Sequence, residues 1–420
     1  MIPVKRISIR LYANPKKVIL GYLNFGNPER VYPVARYVMD LEDEEAEAQL
    51  NGLLAEFEER HFHLKETFRE NYEKVADQVP GAPSEVKKLL IGAYFTHEYS
   101  IQAAALFNPS IVQHPDQSGL SEGELRFILS LRATGEGHIS SIAFQTGVMN
   151  AAGEITLDPA SPKLSSGRLI SSAGASEESY DIDYAETSPL SSRILFPRSR
   201  AESNGMEDAR FVEFRDGNKI RYFGTYTAYN GRTIWPQLIE TEDFRHFCIR
   251  PLYGKAASDK GMALFPEKIK GKYAMIGRQG GRSLSFMYSD DIYRWDEYQL
   301  LQAPQRNWEM LQMGNCGSPV KTPQGWLLLT HAVGPMRKYV LSLTLLDLEH
   351  PEKVIASLEH PLLQPDESER EGYVPNVLYS CGMLLHGEEL VVPYAMSDSA
   401  IGFATVGLED VITELLKSKR

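Results

Sequence analysis

The chain has 420 residues, of which 43% are hydrophobic and 10% aromatic, and its formal net charge is −12 at pH 7. This length suits one large domain with an appendage, or two domains. The negative charge argues against nucleic acid or an anionic membrane as the main partner, because both attract proteins through a positive field.

The other bulk features indicate a cytoplasmic protein. No apolar run approaches the roughly 18 residues that span a bilayer, and residues 1–6 do not begin a signal peptide. The three cysteines, Cys248, Cys316 and Cys381, are widely separated and odd in number, which fits reduced thiols and matches no zinc spacing. We therefore expect no metal site.

The N-terminal segment differs in pattern from the rest of the chain. Residues 1–33 contain short apolar runs broken by Asn-Pro pairs, which indicates an extended arm. Residues 34–91 place apolar side chains near helical spacing and predict two or three amphipathic helices, with Ser84 capping the last. We assign residues 1–91 to an arm and a helical extension, which we expect to pack beside the main domain or to join subunits of a homo-oligomer.

Short alternating segments separated by Gly, Asn, Asp and Pro turns predict a β domain at residues 92–410, followed by a C-terminal tail at residues 411–420. A strand that ends in a polar turn recurs in residues 141–146, 237–244, 284–291, 341–347 and 401–405. The last three intervals are roughly 50–60 residues, the length of one four-stranded blade. The predicted fold class is therefore all-β, a five-bladed β-propeller with an N-terminal α-helical extension. Residues 153–204, rich in Ser, Ala and Pro, are expected to form a long loop with little core.

A propeller gathers its ligand site around the central axis, where the first strands of the blades converge. Polar residues at the ends of apolar strands are the candidates, and the chain has one or two for each blade: Asn108, Arg132, Asp208, Arg278, His331 and Asp398. Each alone also fits a structural role, such as a surface position at a strand edge for Arg132 or a satisfied structural histidine for His331. Their recurrence favours a shared site.

Residues 205–210, Gly-Met-Glu-Asp-Ala-Arg, precede the alternating run Phe211–Phe214 and are predicted to form a turn that leads into a strand. Adjacent strand residues point to opposite faces, so we expect Asp208 to face the enclosed cavity and Glu207 to turn away and support the turn. A polar turn with a local ion pair is the alternative. Loops typical of nucleotide binding, serine hydrolases and HExxH zinc enzymes are missing from the sequence.

These motifs, in this order, resemble glycoside hydrolase family 130, the mannoside phosphorylases and related β-mannosidases. Residues 205–210 are similar to the family signature Gly-x-Glu-Asp-Pro-Arg, with Ala209 in place of its proline. The supporting matches are Asn108–Ser110, Leu131–Ala133, Ser289–Asp291 with Trp295, Gly325–His331, Tyr339–Leu348, Val374–Val377 and Tyr394–Asp398. The resemblance covers roughly residues 92–410 and implies a five-bladed β-propeller.

The resemblance implies an inverting reaction at the anomeric carbon of a β-mannoside. Asp208 matches the proton donor, and Arg132 and Asp398 match residues that hold the mannosyl unit. Arg278 and His331 match two members of a phosphate-binding set. The lysine of that set falls on Gln312, which favours hydrolysis because charge-assisted hydrogen bonds are about twice as strong as neutral ones.

An inverting hydrolase needs a second carboxylate about 6.5–9.5 Å from the acid, with a water between them. Glu309 is the acid nearest to Gln312, and Glu371 is the second candidate for this base. Asn108 is expected to contact the substrate, and Tyr226 to stack on a sugar face.

The predicted function is therefore hydrolysis of short β-mannosides, with the β-1,2 linkage as one option, by an inverting glycosidase. One alternative is a β-mannoside phosphorylase that uses inorganic phosphate as co-substrate and releases mannose 1-phosphate. The other is an inactive carbohydrate-binding propeller. No cofactor is expected in any of the three cases.

Overall fold

The structure is a computed structural model that describes residues 2–170 and 178–417. Contacts divide the chain into two compact units. The smaller unit contains Pro15–Ile101 and Ser161–Ser166, and the larger contains Met1–Asn14, Gln102–Ala160 and Gly167–Arg420. The predicted division at residue 91 differs from this one, because the first residues of the chain belong with the larger unit.

The protein is mostly β, as predicted. In the first half of the chain the strands are β1 (Lys5–Tyr12), β2 (Val18–Tyr22), β3 (Thr96–Ser100), β4 (Ala105–Gln113), β5 (Leu125–Thr134), β6 (Ser140–Met149), β7 (Ile155–Leu157), β8 (Arg168–Ile170), β9 (Tyr180–Asp183), β10 (Ile194–Leu195), β11 (Gly205–Asp216), β12 (Lys219–Tyr229), β13 (Ile234–Thr241) and β14 (His246–Pro251). In the second half they are β15 (Ala263–Leu264), β16 (Tyr273–Gly277), β17 (Leu284–Ser289), β18 (Gln299–Gln302), β19 (Gln312–Asn315), β20 (Val320–Thr322), β21 (Gly325–Val333), β22 (Tyr339–Leu346), β23 (Val354–Ser357), β24 (Leu378–Tyr379), β25 (Leu384–His386), β26 (Glu389–Met396) and β27 (Ala400–Gly407).

The strands of the larger unit group into five antiparallel sets. The sets are β4–β7, β11–β14, β15–β18, then β19 with β21–β23, and finally β24, β26, β27 and β1. The first two sets are joined into one sheet by a parallel pair, Gly205 with Ser140. The five recurring segments of the sequence begin on or within β6, β13, β17, β22 and β27, the third strand of each set. This grouping is the one that a five-bladed propeller requires, and the blade count itself stays a prediction.

The last set is completed by the N-terminal strand. In the pairing of β1 with β27, Lys5 lies opposite Thr405 and Tyr12 opposite Ala400. The prediction of an arm is therefore wrong for residues 5–12, which form a sheet strand. The alternating apolar residues of this segment indicated a strand. Its pairing partner lies about 400 residues away, however, and no local pattern could identify it.

The prediction of a coreless loop at residues 153–204 is also wrong. β8 and β9 extend the second set by pairing onto β14. The segment buries side chains in the core of that set: Tyr180, Ile182, Tyr184, Leu195 and Ala201. Its strands are only two to four residues long, too short to stand out among Ser, Ala and Pro. Residues 171–177 lie outside the described part of the chain.

The smaller unit contains four α-helices, where two or three were predicted. They are α1 (Val31–Asp40), α2 (Asp43–Phe57), α3 (Leu64–Glu73) and α4 (Glu85–Tyr94). Ser84 caps α4 as predicted, since its side chain accepts a hydrogen bond from the Lys87 backbone N–H. The predicted C-terminal tail is largely helical: α5 (Leu408–Lys417) buries Val411 and Leu415. No helix in the described ranges is long and apolar enough to cross a membrane.

Candidate active site

Asp208 lies at a bulge in β11, the first strand of the second set. The register between β11 and β12 shifts between Glu207 and Arg210, and Asp208 has a φ of 55°. This left-handed conformation costs a non-glycine residue roughly 1–2 kcal/mol. A bulge also interrupts the alternation of side chains along a strand. The predicted turn is therefore part of a strand, and adjacent residues there need not face opposite sides.

One guanidinium holds both acids of the signature. Arg132, in β5, donates hydrogen bonds to Oε1 of Glu207 at 2.6 Å and to Oδ1 of Asp208 at 3.1 Å. Asn108 donates from Nδ2 to the same Asp208 oxygen at 2.6 Å. Asn108 sits at a second bulge, in β4, with a φ of 49°. The expectation that Glu207 turns away is therefore wrong, because the bulge lets it share Arg132 with Asp208.

The environment of Asp208 favours its ionised form. Burial raises the pKa of this carboxyl, but the charges of Arg132, Arg210 and Lys260 outweigh burial and, with the Asn108 hydrogen bond, lower the pKa to about 2. Asp208 is therefore ionised at neutral pH in the free protein.

Asp398 belongs to the same cluster and has the opposite shift. It lies in the turn between β26 and β27, with a φ of 51°. Burial and then the charge of Asp208 raise its pKa to about 6, against the lowering effects of Arg132 and Arg337. Two neighbouring carboxyls whose pKa values are pushed apart can divide acid and base duties between them.

Lys260 was missed by sequence reasoning. Its Nζ donates to Oε2 of Glu207 at 2.6 Å, so that Glu207 bridges Lys260 and Arg132. Lys260 precedes β15, the first strand of the third set, in the turn-forming segment Ser258–Gly261. A basic residue ahead of a set's first strand was the available signal, but lysine is common in exposed turns.

Arg278 and His331 come from the third and fourth sets. A terminal nitrogen of Arg278 lies 3.5 Å from Nε2 of His331. Burial, followed by the charges of Arg278 and Arg210, lowers the pKa of His331 well below its usual range, so the imidazole is neutral. Its ring occupies the space beside Gly314, where an added Cβ would lie 2.5 Å from the ring.

Gln312 lies in β19, two residues before Gly314 and opposite Val333. Because strand side chains alternate, Gln312 projects from the sheet face on which His331 lies beside Gly314. The position of the missing lysine therefore shares a sheet face with His331.

Three predicted site residues have other surroundings. Glu309 is buried and accepts hydrogen bonds from the backbone N–H groups of Gln305 and Arg306 and from the Arg306 guanidinium. Glu371 is exposed. The Tyr226 ring is buried, and its hydroxyl donates to buried Glu202. The structure thus contradicts sugar stacking by Tyr226 and gives Glu309 a structural task. The sequence could not reveal the partner of Tyr226, because Glu202 meets it only in the tertiary structure. The partners of Glu309 are three and four residues away, and sequence reasoning missed this local contact.

A separate group of metal-binding residue types lies away from this cluster. In the described part of the chain, single ligand atoms of Asp181, His246 and Cys248 lie within 4.8 Å of one another. Arg250 is already 2.7 Å from Asp181 Oδ1 and supplies positive charge there. Cysteine spacing did not indicate this group, because its members meet across β9 and β14.

The cluster around Asp208 has the equipment of an acid–base enzyme: two carboxyls with separated pKa values, guanidinium groups and a neutral imidazole. The sequence profile described as beta-1,4-mannooligosaccharide phosphorylase, of glycoside hydrolase family 130, matches residues 177–417. The chain therefore belongs to glycoside hydrolase family 130, and it is an enzyme of the glycoside phosphorylase and hydrolase type.

Individual relatives agree with this assignment. The chain is 33% identical over 254 residues to a 1,2-beta-oligomannan phosphorylase of Thermoanaerobacter sp. (strain X514), covering 60% of this chain and 83% of the relative. Beta-1,2-mannobiose phosphorylase from Listeria innocua, solved with beta-1,2-mannobiose, aligns with a TM-score of 0.56 at 18% identity, over 75% of this chain and 92% of that one. A structure with a TM-score of 0.54 at 17% identity, over 74% and 87% of the two chains, is described with family members that hydrolyse beta-1,2 mannosidic linkages in Candida mannan. At these identities the structural likeness shows the fold.

Proposed function

We propose that the protein is a β-mannoside phosphorylase that transfers the mannosyl unit of a short β-1,2-linked mannoside to inorganic phosphate. The observation that carries the proposal is the environment of the Arg278 guanidinium. No carboxylate in residues 2–170 or 178–417 pairs with its half-buried guanidinium, and its Nε is buried without a hydrogen-bond partner. A partly buried cation beside a neutral imidazole gains stability when a ligand supplies negative charge. Phosphate matches the two-pronged geometry of guanidinium.

The choice of phosphate over water reverses the preference drawn from the sequence. Hydrolysis was favoured because Gln312 stands at the lysine position. An attacking water needs a carboxylate base, however, and the two predicted bases are a buried cap, Glu309, and an exposed residue, Glu371. Phosphate is already anionic and needs no base. The 33%-identical relative from Thermoanaerobacter is also named a phosphorylase.

In the proposed reaction a phosphate oxygen forms a bond to the anomeric carbon as the bond from that carbon to the glycosidic oxygen breaks. A proton from Asp208, directly or through a sugar hydroxyl, ends on the leaving oxygen. The products are α-mannose 1-phosphate, of inverted configuration, and a mannoside shortened by one unit. Arg132 and Asp398 hold the mannosyl unit, and Arg278 with His331 holds phosphate.

Asp208 must gain its proton after the substrate binds, because its pKa of about 2 keeps it ionised in the free protein. Burial is the largest influence on this carboxyl and raises its pKa. A mannoside that excludes the remaining water and hydrogen-bonds Arg132 acts in the same direction. In this proposal the ion pairs between Arg132 and the two acids are weakened when the substrate binds.

The test incubates the protein with β-1,2-mannobiose, with and without phosphate, and separates mannose from mannose 1-phosphate. Phosphate-dependent release of mannose 1-phosphate is expected. Arg278→Gln should raise the KM for phosphate by about 10–100-fold, since hydrogen bonds to charged groups contribute about 1.5–3 kcal/mol. Arg282→Gln is the matched control, because Arg282 is exposed and donates to the Met310 carbonyl.

Hydrolysis remains the second candidate, favoured by Gln312. Release of free mannose at a rate independent of phosphate would overturn the proposal and select this candidate. If no β-mannoside is turned over with or without phosphate, the result would favour an inactive carbohydrate-binding propeller.

A further inference from the structure

The turn that carries Asp398 has a strained backbone. Met396, the last residue of β26, pairs with Ala400, the first residue of β27, so three residues form the turn. The first two, Ser397 and Asp398, both have left-handed φ values, 48° and 51°. Glycine, asparagine and aspartate adopt this conformation most readily. A serine in the same conformation needs contacts that offset the strain.

Ser397 receives these contacts from the segment that precedes β24. It is fully buried, and its backbone N–H donates to the Val377 carbonyl at 2.7 Å. Its own carbonyl accepts the Val374 N–H at 3.0 Å, and its hydroxyl donates to the Glu369 carbonyl at 2.7 Å. These three hydrogen bonds offset the strain and fix the turn to residues 369–377.

Glu369 is in turn held by two strands. Its side chain is fully buried, and Arg6 in β1 donates to both carboxylate oxygens at 3.1 Å. The hydroxyl of Tyr394, in β26, donates to Oε1 at 2.6 Å. A bidentate pair of arginine and carboxylate fixes orientation as well as distance. Glu369 therefore connects β1 and β26 with Ser397, the residue next to Asp398.

We propose that Glu369 is a positioning residue for Asp398, and that Arg6 and Tyr394 act through it. The inference rests on the proposed function, which assigns Asp398 to the mannosyl unit. A misplacement of about 1 Å is enough to weaken the contact of a positioned group with its substrate. Through Glu369, the N-terminal strand β1 thus contributes to the affinity for mannoside as well as completing a sheet.

The experiment is a double-mutant cycle on the affinity for β-1,2-mannobiose, measured by calorimetry without phosphate. Arg6→Gln should weaken binding by about three- to tenfold, the effect of one hydrogen bond. In the Asp398→Ala background the same substitution should change the affinity by less than about twofold, because its effect passes through the carboxylate that is already lost.

Two further variants complete the experiment. Tyr394→Phe removes only the hydroxyl that donates to Glu369 and should show the same pattern, which tests the inference even if Arg6→Gln folds poorly. Arg10→Gln is the matched control, because Arg10 lies in the same strand and donates to the carbonyls of Ile7 and Ile9. Its affinity for mannobiose should equal that of the wild type.

Urea denaturation of each variant separates positioning from support of the fold. If Arg6→Gln and Tyr394→Phe lower the stability but bind mannobiose as the wild type does, the contacts of Glu369 only anchor β1 and the inference is overturned. An equal loss of affinity with and without the Asp398 carboxylate would overturn it as well. If the cycle behaves as expected but no mannose 1-phosphate forms when phosphate is added, the proposed function fails and the positioning role stands.

Discussion

Replacing Asp398 by asparagine should stabilise the protein at alkaline pH. The folded state raises the pKa of Asp398 from 3.8 to about 6, and one pKa unit corresponds to about 1.36 kcal/mol. Ionised Asp398 therefore destabilises the folded state by up to ~3 kcal/mol. Because the folded pKa lies above the unfolded value, this cost is absent below about pH 4 and complete above about pH 7. Asparagine has nearly the same shape and does not ionise.

The assay is urea denaturation of wild type and Asp398→Asn at about pH 4.5 and about pH 8. The advantage of the variant should grow by ~2 kcal/mol between the two pH values. Asp290→Asn is the control: the Asp290 side chain is 80% exposed and its surface ion pair contributes little, so its effect should not vary with pH in this way. A pH-independent difference between Asp398→Asn and wild type would refute the electrostatic reasoning. Turnover should fall in the same variant if Asp398 holds the mannosyl unit.

Three further substitutions test individual residues. Glu309→Gln should lower the free energy of unfolding by about 1–3 kcal/mol, because it weakens the hydrogen bonds that the carboxylate accepts from two backbone N–H groups and a guanidinium. A large loss of turnover at unchanged stability would instead support its predicted role as base. Tyr226→Phe removes one of the buried hydroxyl donors of Glu202, which keeps the Tyr180 hydroxyl, and should destabilise by a similar ~1–3 kcal/mol, measured by denaturation. A selective rise in the KM for mannoside would instead support sugar contact. Gln312→Lys should lower the KM for phosphate by up to about tenfold, measured from initial rates, and an unchanged KM would separate this position from phosphate binding.

The sequence predicted the structural features that depend on local residue patterns and on the order of those patterns along the chain. The five recurring strands fall on the third strand of each antiparallel set, because their apolar alternation is continuous over five or more residues. Asn108, Arg132, Asp208 and Asp398 meet as expected from polar residues that flank such strands. Ser84 caps a helix because capping needs only neighbouring residues.

What the sequence could not predict depends on backbone irregularity or distant partners. The bulge at Asp208 changes which way Glu207 points, and a period-two argument has no means of locating a bulge. Lys260 joins the site through one tertiary hydrogen bond. Tyr226 looked like any aromatic that could stack on a sugar, until buried Glu202 proved to be its partner.

The pairing of β1 with β27 separates the order of synthesis from the order of folding. Lys5 leaves the ribosome well before its partner Thr405, because 399 residues separate them in the chain. β1 therefore stays without its partner until β27 has been synthesised, and during that interval it can pair with a strand from another molecule. Asp398 lies in the hairpin formed by β26 and β27, so the last set to be completed also carries a residue of the candidate site. An N-terminal fusion that hinders β1 should therefore lower the yield of active enzyme more than the same fusion placed after α5.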